Sequence, residues 1–577
     1  MDRKLVFLLC CLFCLFLIGG CDGDAAGLPP VASEGTGEGE ASSVLQGKES
    51  AVSFLSGRFV DPISEWDSYD RLIDSICREQ DSSAYIGLVR EAEDMLMKTG
   101  CIVPIYEMQA VCLAKDCVSD LFVDPYSIDH YADITMDNSA GIVRIGITHT
   151  PVLDPAYALS EEDISLIGNC FTGLYAYDRS GEIVSACADH YELSDDGSTY
   201  TIYLKEGLKW AGGADLTPAD FVYSWKRTAS SNKRYGYLFS FIDGYPDDLS
   251  VRVVSDSAFS VKVSRPCDHF KQILAFPLFA PARQDIIDAN PDKWYQIGGN
   301  AFNGAYTCMF SDPVRTIALI PNQNWVLAAA DGPAGLNIQF DLFNNDISAY
   351  SAYKAGDLDI LKSVPINVLF DYSAAGSGEY RTFPILGTTI LAMNARSPVF
   401  SRMSTEESVC FRLAVSALID KTFITSETAP DSRSEADSII PVDMSGGRGE
   451  IYLASGADAP EGNGSSMEKA VRLLSLAGFS FDKQKPVDAD RMPVLQCLYP
   501  ESSVCRETIE AVSQDLAAAG IRLILDPADS VSFHRKARSG AYDIVLDQRI
   551  AAYDDPLCLL AEWVSGSPGN YCLFGDS

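Results

Sequence analysis

From Gly141 onward, stretches whose apolar residues alternate every second position repeatedly give way to stretches spaced for a helix, which restricts the chain to packed α/β units. Val143-Arg144-Ile145-Gly146-Ile147 is predicted to form a strand. Ser165 to Leu174 carries apolar residues at helical spacing, and Tyr200 to Leu204 alternates like a strand after the turn Asp195-Asp196-Gly197. Thr217-Pro218-Ala219-Asp220 predicts a helix start, with Thr at the N-cap, Pro at a position that needs no N–H, and an acid facing the free N–H groups of the first turn. Phe221 and Trp225 then form its apolar face. With 577 residues, 47% of them hydrophobic, the chain buries enough core for two or three packed units.

The N-terminus reads as an address and a tether. After Met1-Asp2-Arg3-Lys4, the apolar run Leu5 to Ile18 is too short for a membrane span of about 20 residues and fits a signal-peptide core. It leads into Ile18-Gly19-Gly20-Cys21, which resembles a bacterial lipobox and marks Cys21 as the lipidation site, with residues 1–20 removed. The alternative is a signal peptide with an incidental cysteine. Residues 21–52 hold the lipidated Cys and a flexible tether: Asp22 to Ser50 has no aromatic residue and is rich in Gly, Ser, Ala and Glu, so it buries too little apolar surface to fold. Such a tether spans about 30 Å root-mean-square, enough to hold a globular body off a membrane surface.

Charge and cysteine content exclude several function classes. Lys+Arg 44 against Asp+Glu 80 gives a net charge of −36, which repels phosphate backbones, so nucleic acid is not an expected partner. Four of the 17 cysteines lie at or before Cys21, leaving 13, an odd number, in an exported body, whose pairing the sequence does not give. Cys112 and Cys117 lack His or Cys partners at zinc spacing, so no metal site and no cofactor is expected. There is no Walker loop, no Gly-x-Ser-x-Gly elbow and no His-Glu-x-x-His, and the five histidines are dispersed, so the chain is not expected to be an enzyme.

A series of short segments carries a family resemblance. Leu153-Asp154-Pro155, Phe171 to Tyr175, Leu193 to Tyr200, Leu208-Lys209-Trp210 and Asp220 to Arg227 resemble, in order and spacing, the solute-binding proteins of peptide-type ABC importers (family 5 extracellular solute-binding proteins). Lys293-Trp294, Asn303-Gly304-Ala305-Tyr306, Asn322 to Trp325, Tyr353 to Ile360, Ala414 to Lys421, Tyr542-Asp543-Ile544 and Asp555-Pro556 continue the series, over about 440 residues. The Asn-Gly-Ala-Tyr form is closest to the oligopeptide-binding branch. The resemblance implies an α/β, two-lobed periplasmic-binding-protein type II fold with an extra third domain, of the kind called cluster C. Lobe I would span 138–365 with a small domain inserted at about 183–290, and lobe II would span 366–577. Segments similar to the family's C-terminal region stand in front, at Tyr69 to Asp74, Glu91 to Leu96 and Val103-Pro104-Ile105-Tyr106. The resemblance therefore implies a circular permutation in which 53–137 is equivalent to that region; the rival reading is a remnant of a neighbouring protein fused upstream.

The same resemblance implies the function and its site. The expected activity is binding of a peptide or peptide-like solute by closure of two lobes, with delivery to an ABC permease and its ATPase, by a monomer on the outer face of a bacterial membrane, periplasmic or cell-surface. The family's ammonium anchor is an Asp before the Tyr of an Ala-Asp-Tyr motif. Here Ala551-Ala552-Tyr553-Asp554 places Ala552 at that position, the family's Gly-Trp is replaced by Gln548-Arg549, and its usual Arg falls on Leu546. Asp547, Arg549 and Asp554 are the candidate substitutes for the missing charges, each weighed against a structural ion pair. Tyr235, in a loop that lines the family's cavity, and Tyr553 complete the expected ligand contacts. The alternatives are a receptor or surface-interaction lipoprotein that has lost import, and a binder of a non-peptide solute such as a metal chelate.

Overall fold

The computed structural model describes residues 60–575, apart from 138–140, 180, 265–268, 312, 329–334, 428–432 and 446–464. The signal peptide, Cys21 and the tether lie outside the described residues. Two helices, α1 (Trp66–Arg78) and α2 (Ser82–Lys98), precede the long strand β1 (Ile102–Ala114). Strand β2 (Ile142–Ile147) leads to helix α3 (Glu161–Cys170). This helix starts and ends earlier than the apolar spacing of Ser165 to Leu174 suggests. Its start is set by a capping box, in which Asp163 N–H donates to Ser160 Oγ at 3.1 Å and Ser160 N–H donates to the Asp163 carboxylate at 3.0 Å. Phe171, Thr172 and Leu174 are buried by contacts outside the helix, with Thr172 N–H donating to Asn303 Oδ1 at 3.2 Å.

Next come β3 (Ala188–Leu193), β4 (Thr199–Leu204), α4 (Pro218–Ser231), β5 (Val251–Ser255) and β6 (Ala258–Lys262). The strands form a separate antiparallel sheet in the order β3-β4-β6-β5, inside the expected insert. Helix α4 starts where the sequence indicates, with the Thr217 N–H donating to Asp220 Oδ2 at 2.8 Å. Its face packs Phe221 and Trp225 against Phe259 of β6, with ring centroids 5.6 and 5.5 Å apart.

The chain continues through β7 (Tyr306–Phe310), β8 (Thr316–Pro321), β9 (Asn337–Leu342), β10 (Ile360–Leu361) and a second long strand, β11 (Tyr380–Met393). It closes with β12 (Val494–Pro500), α5 (Ser503–Ala518), β13 (Arg522–Ala528), α6 (Ser530–Ser539), β14 (Ile544–Ile550) and the short α7 (Leu557–Leu560). Ten strands make one mixed sheet in the order β7-β8-β9-β2-β10-β1-β11-β14-β12-β13. Strand β12 is parallel to both β13 and β14, and the right-handed crossover rule puts α5 and α6 on opposite faces.

The centre of this sheet joins the two lobes. Strands β1 and β11 pair antiparallel over their whole length, from Ile102↔Ala392 to Leu113↔Tyr380, with register shifts between Pro104 and Tyr106 and between Glu107 and Gln109. Strand β11 pairs with β14 from Met393 to Gly387, through the first shift and as far as the second, and beyond the second β1 pairs with β10 at Leu113 and Ala114. Both long strands therefore cross from one lobe to the other, and the bulges bend them at the crossing. Helices α1 and α2 rest on the C-terminal segment: Trp66 Nε1 donates to Trp563 O at 2.8 Å, Tyr69 OH to Leu560 O at 2.8 Å, and Ser565 N–H to Asp70 Oδ1 at 2.9 Å.

Candidate functional site

The loop after α4 carries its side chains into contact with β14 and the C-terminal segment. Asn232 holds that loop, its Oδ1 accepting from the N–H groups of Arg234 at 3.0 Å and Tyr235 at 2.8 Å, while its Nδ2 donates to Pro155 O and Ala158 O at 3.0 Å each. Arg234 reaches over the seam to Tyr571 OH at 3.3 Å and Gln548 O at 3.3 Å, and lies 3.5 Å from His534 Nδ1. Tyr237 OH donates to Glu562 Oε1 at 3.1 Å, and His269 Nε2 lies 3.2 Å from Asp555 Oδ2. Tyr85 OH of α2 donates to the other Asp555 oxygen at 2.5 Å. Burial raises the Asp555 carboxyl above its ordinary range, while the nearby His269 works in the opposite direction.

Strand β14 turns Asp547 and Arg549 to the same face. Arg549 is 1% exposed. Its Nε lies 2.6 Å from Asp547 Oδ2, an ionic contact rather than an aligned hydrogen bond. Its other nitrogens bond Glu562 and the Gly569 carbonyl, the latter at 2.8 Å, and its guanidinium lies 4.7 Å from the ring centroids of both Trp563 and Tyr571. The neighbouring imidazole of His534 is held well below its usual range by burial and by the charges of Arg234, Arg538 and Arg549, so it is neutral.

The sequence-derived site residues occupy different parts of this seam. Tyr235 is buried, its ring 5.7 Å from Phe276, and burial pushes its hydroxyl up to about 12. Tyr553 is buried and stacks on His269 at 5.6 Å. Asp554 accepts the Ser445 N–H at 2.8 Å, and Ala552 is buried. Asp547 and Arg549 lie together in the enclosed cluster described above, whereas Asp554 faces a different loop.

A cavity of about 150 Å³ lies beside the crossing strands and includes none of those residues. Its lining includes the apolar Val111 of β1, Ile145 of β2 and Phe383 of β11 and the charged Asp129, Glu161, Glu162 and Lys362. Asp129 is a satisfied group: it pairs with Lys362 and accepts from Ser165 Oγ at 2.7 Å and Tyr131 OH at 3.0 Å. Glu161 is not, having no hydrogen-bond or ion-pair partner among the described residues. Burial, followed by the like charge of Glu162, pushes its carboxyl up to about 7 against the opposing pull of Arg234. Sequence reasoning missed Glu161 because Ser160-Glu161-Glu162-Asp163 reads as an ordinary acidic helix start. Among the described residues no three His, Cys, Asp or Glu side chains come together as a metal site.

Comparison with known proteins matches this architecture to one family. The profile of the bacterial extracellular solute-binding proteins, family 5, matches residues 182–571. The chain is 26% identical over 438 residues to the periplasmic murein peptide-binding protein MppA of Escherichia coli, covering 74% of this chain and 78% of the relative. A structure of OppA from Listeria monocytogenes bound to peptide superposes with a TM-score of 0.63 at 19% identity, covering 76% of this chain and 87% of that one. The unliganded open form of MppA superposes with a TM-score of 0.51 at 24% identity, covering 76% and 84%. With the profile spanning most of its length, the chain belongs to the bacterial extracellular solute-binding proteins, family 5.

Proposed function

We propose that this protein is an extracytoplasmic lipoprotein that binds peptides by closing its two lobes and delivers them to an ABC import permease, without hydrolysing them. The observation that carries the reading is the seam itself. Two bent strands join the lobes, and Arg234, Tyr237 and His269 of lobe I meet Gln548, Tyr571, Glu562 and Asp555 of lobe II through polar contacts. Opening the lobes would break these contacts and free the groups to bind a ligand, and closure would then shield the ligand from water. Relatives named for peptides support the solute class. Tethering by a lipid on Cys21 would keep the monomer near the permease, and Cys21 is proposed from the lipobox.

The N-terminal segment is proposed to be the transposed C-terminal region of the family fold. Its strand β1 lies between β10 and β11 in the centre of the sheet, and its helices rest on residues 555–565. A remnant fused upstream would have no reason to occupy the middle of the sheet.

Native mass spectrometry of the soluble form lacking residues 1–21, before and after denaturation, tests the function. The expected result is release of short peptides, and added peptide at 100 times Kd should stabilise the protein by about 2.7 kcal/mol. An empty protein that also gives no thermal shift with a peptide library would overturn the peptide reading. The competing receptor reading is favoured by Ala552 at the anchor position. It predicts bound peptide with no co-purifying permease and no uptake.

A further inference from the structure

We propose that the cavity beside α3 is a subsite for an ammonium group of the solute, with the Glu161 carboxylate as its counter-ion. The inference rests on the peptide-binding reading and specifies where one charged end of such a solute sits. A volume of about 150 Å³ is below the roughly 300 Å³ at which pockets for whole small ligands begin, so the cavity takes one end of a solute rather than all of it. The apolar Val111, Ile145 and Phe383 of its lining suit a short alkyl stem, and its charged lining is mainly acidic. Of the charged groups there, Asp129 and Lys362 already satisfy each other, and Glu162 is solvent-exposed and lies 3.8 Å from His149 Nε2, so the group left to bind a ligand is Glu161.

The electrostatics of Glu161 favour a cation. Glu162 faces it from the same helix, Lys362 from the chain after β10, Arg234 and Tyr235 from the loop after α4, Asp547 from β14, and Cys505 from α5. The two fixed cations in that set are committed, Lys362 to Asp129 and Arg234 to acceptors on the opposite lobe. The carboxyl therefore remains half protonated near pH 7, and a ligand ammonium supplies the charge that the fold leaves out. A divalent metal is a poor occupant, because it needs several oxygen ligands and one unpartnered carboxylate offers too few.

The ammonium can come from a peptide N-terminus or from a lysine side chain, and matched probes separate the two. Calorimetry would compare a tripeptide pool with free N-termini against the same pool N-acetylated, and lysine-containing peptides against their norleucine counterparts, for the wild type and Glu161→Gln. One ammonium-bearing probe of the two pairs should bind about 10- to 100-fold tighter than its neutral counterpart at pH 8, and Glu161→Gln should abolish that difference. For a carboxyl titrating near 7, wild-type affinity should rise about tenfold from pH 6 to pH 8 for a lysine ammonium, with about half a proton released per site at pH 7, and about three- to fivefold for an N-terminal ammonium, which itself loses its proton near about 7.7–8.0. These wild-type readouts hold even if the variant folds poorly. Equal affinity for charged and neutral probes, a flat pH profile, or full discrimination by Glu161→Gln would overturn the subsite while leaving peptide binding intact. If no peptide binds, the functional reading fails, and 1,5-diaminopentane decides the subsite: a thermal shift absent in Glu161→Gln supports it, and no shift in the wild type overturns it.

Discussion

At the scale of single residues, the C-terminal end of β14 and the start of α3 solve opposite problems. Arg549 is a buried cation surrounded by partners, with two carboxylates, a carbonyl and two aromatic faces around one guanidinium. Removing it would leave Asp547 and Glu562 buried without their cation, so Arg549→Ala should cost about 3–5 kcal/mol, measured as a lower urea midpoint. Glu161 is a carboxyl without a partner. Its ordinary value is 4.5 and its folded value about 7, so between those values the folded state holds a proton that the unfolded state has lost. Stability therefore falls as pH rises through that window, and the loss is constant above it. Glu161→Gln removes the penalty and should raise Tm by about 1–3 °C at pH 8 with no change at pH 4. An unchanged Tm at pH 8 would mean that the carboxyl is not under this strain.

At the scale of elements, the crossing strands are where packing leaves least room. A Cβ on Gly387 of β11 would lie 2.9 Å from both Arg549 O and Ile550 Cγ1 and 3.2 Å from Met108 Sδ of β1. Three strands meet there, at the bend that joins the lobes. Gly387→Val should therefore cost about 1–3 kcal/mol in denaturant unfolding, since the Arg549 carbonyl cannot withdraw without disturbing the β11–β14 ladder. Local signals were readable at this scale wherever the chemistry is local. The Thr217 to Asp220 helix start and the positive φ of 68° at Gly197 in the Asp195-Asp196-Gly197 turn follow from side chains a few residues apart. The limits of α3 were less readable, because apolar spacing reports what is buried, and Phe171, Thr172 and Leu174 are buried without being helical.

At the scale of the molecule, the segment before Ala114 and the segment after Pro556 form one packed body. Trp66 is fully buried, stacks at 4.4 Å on Tyr69 and 4.1 Å from Phe574, and bonds Trp563. Trp66→Ala should cost about 3–5 kcal/mol. Deleting residues 51–137 goes further, removing β1 from the middle of the ten-stranded sheet, and should abolish cooperative unfolding and ligand binding together. A truncated protein with unchanged Tm and affinity would rule out the permuted arrangement.

Sequence alone determined what depends on short-range pattern and on order along the chain: the α/β class, the helix caps and the family. Each is encoded by residue types at fixed spacing, and a spacing is legible before anything folds. The tertiary structure decided which charges are satisfied. Asp547 and Arg549 were visible as charges in a suggestive place, yet their enclosure with Glu562, Trp563 and Tyr571 depends on α6, β14 and the C-terminal segment coming together. Glu161 looked like a helix-start acid, and it became a candidate ligand group because partial burial weakened its hydration while the nearby cations were drawn to other partners. Desolvation and partner choice are properties of the whole packed arrangement, which no local stretch of sequence contains.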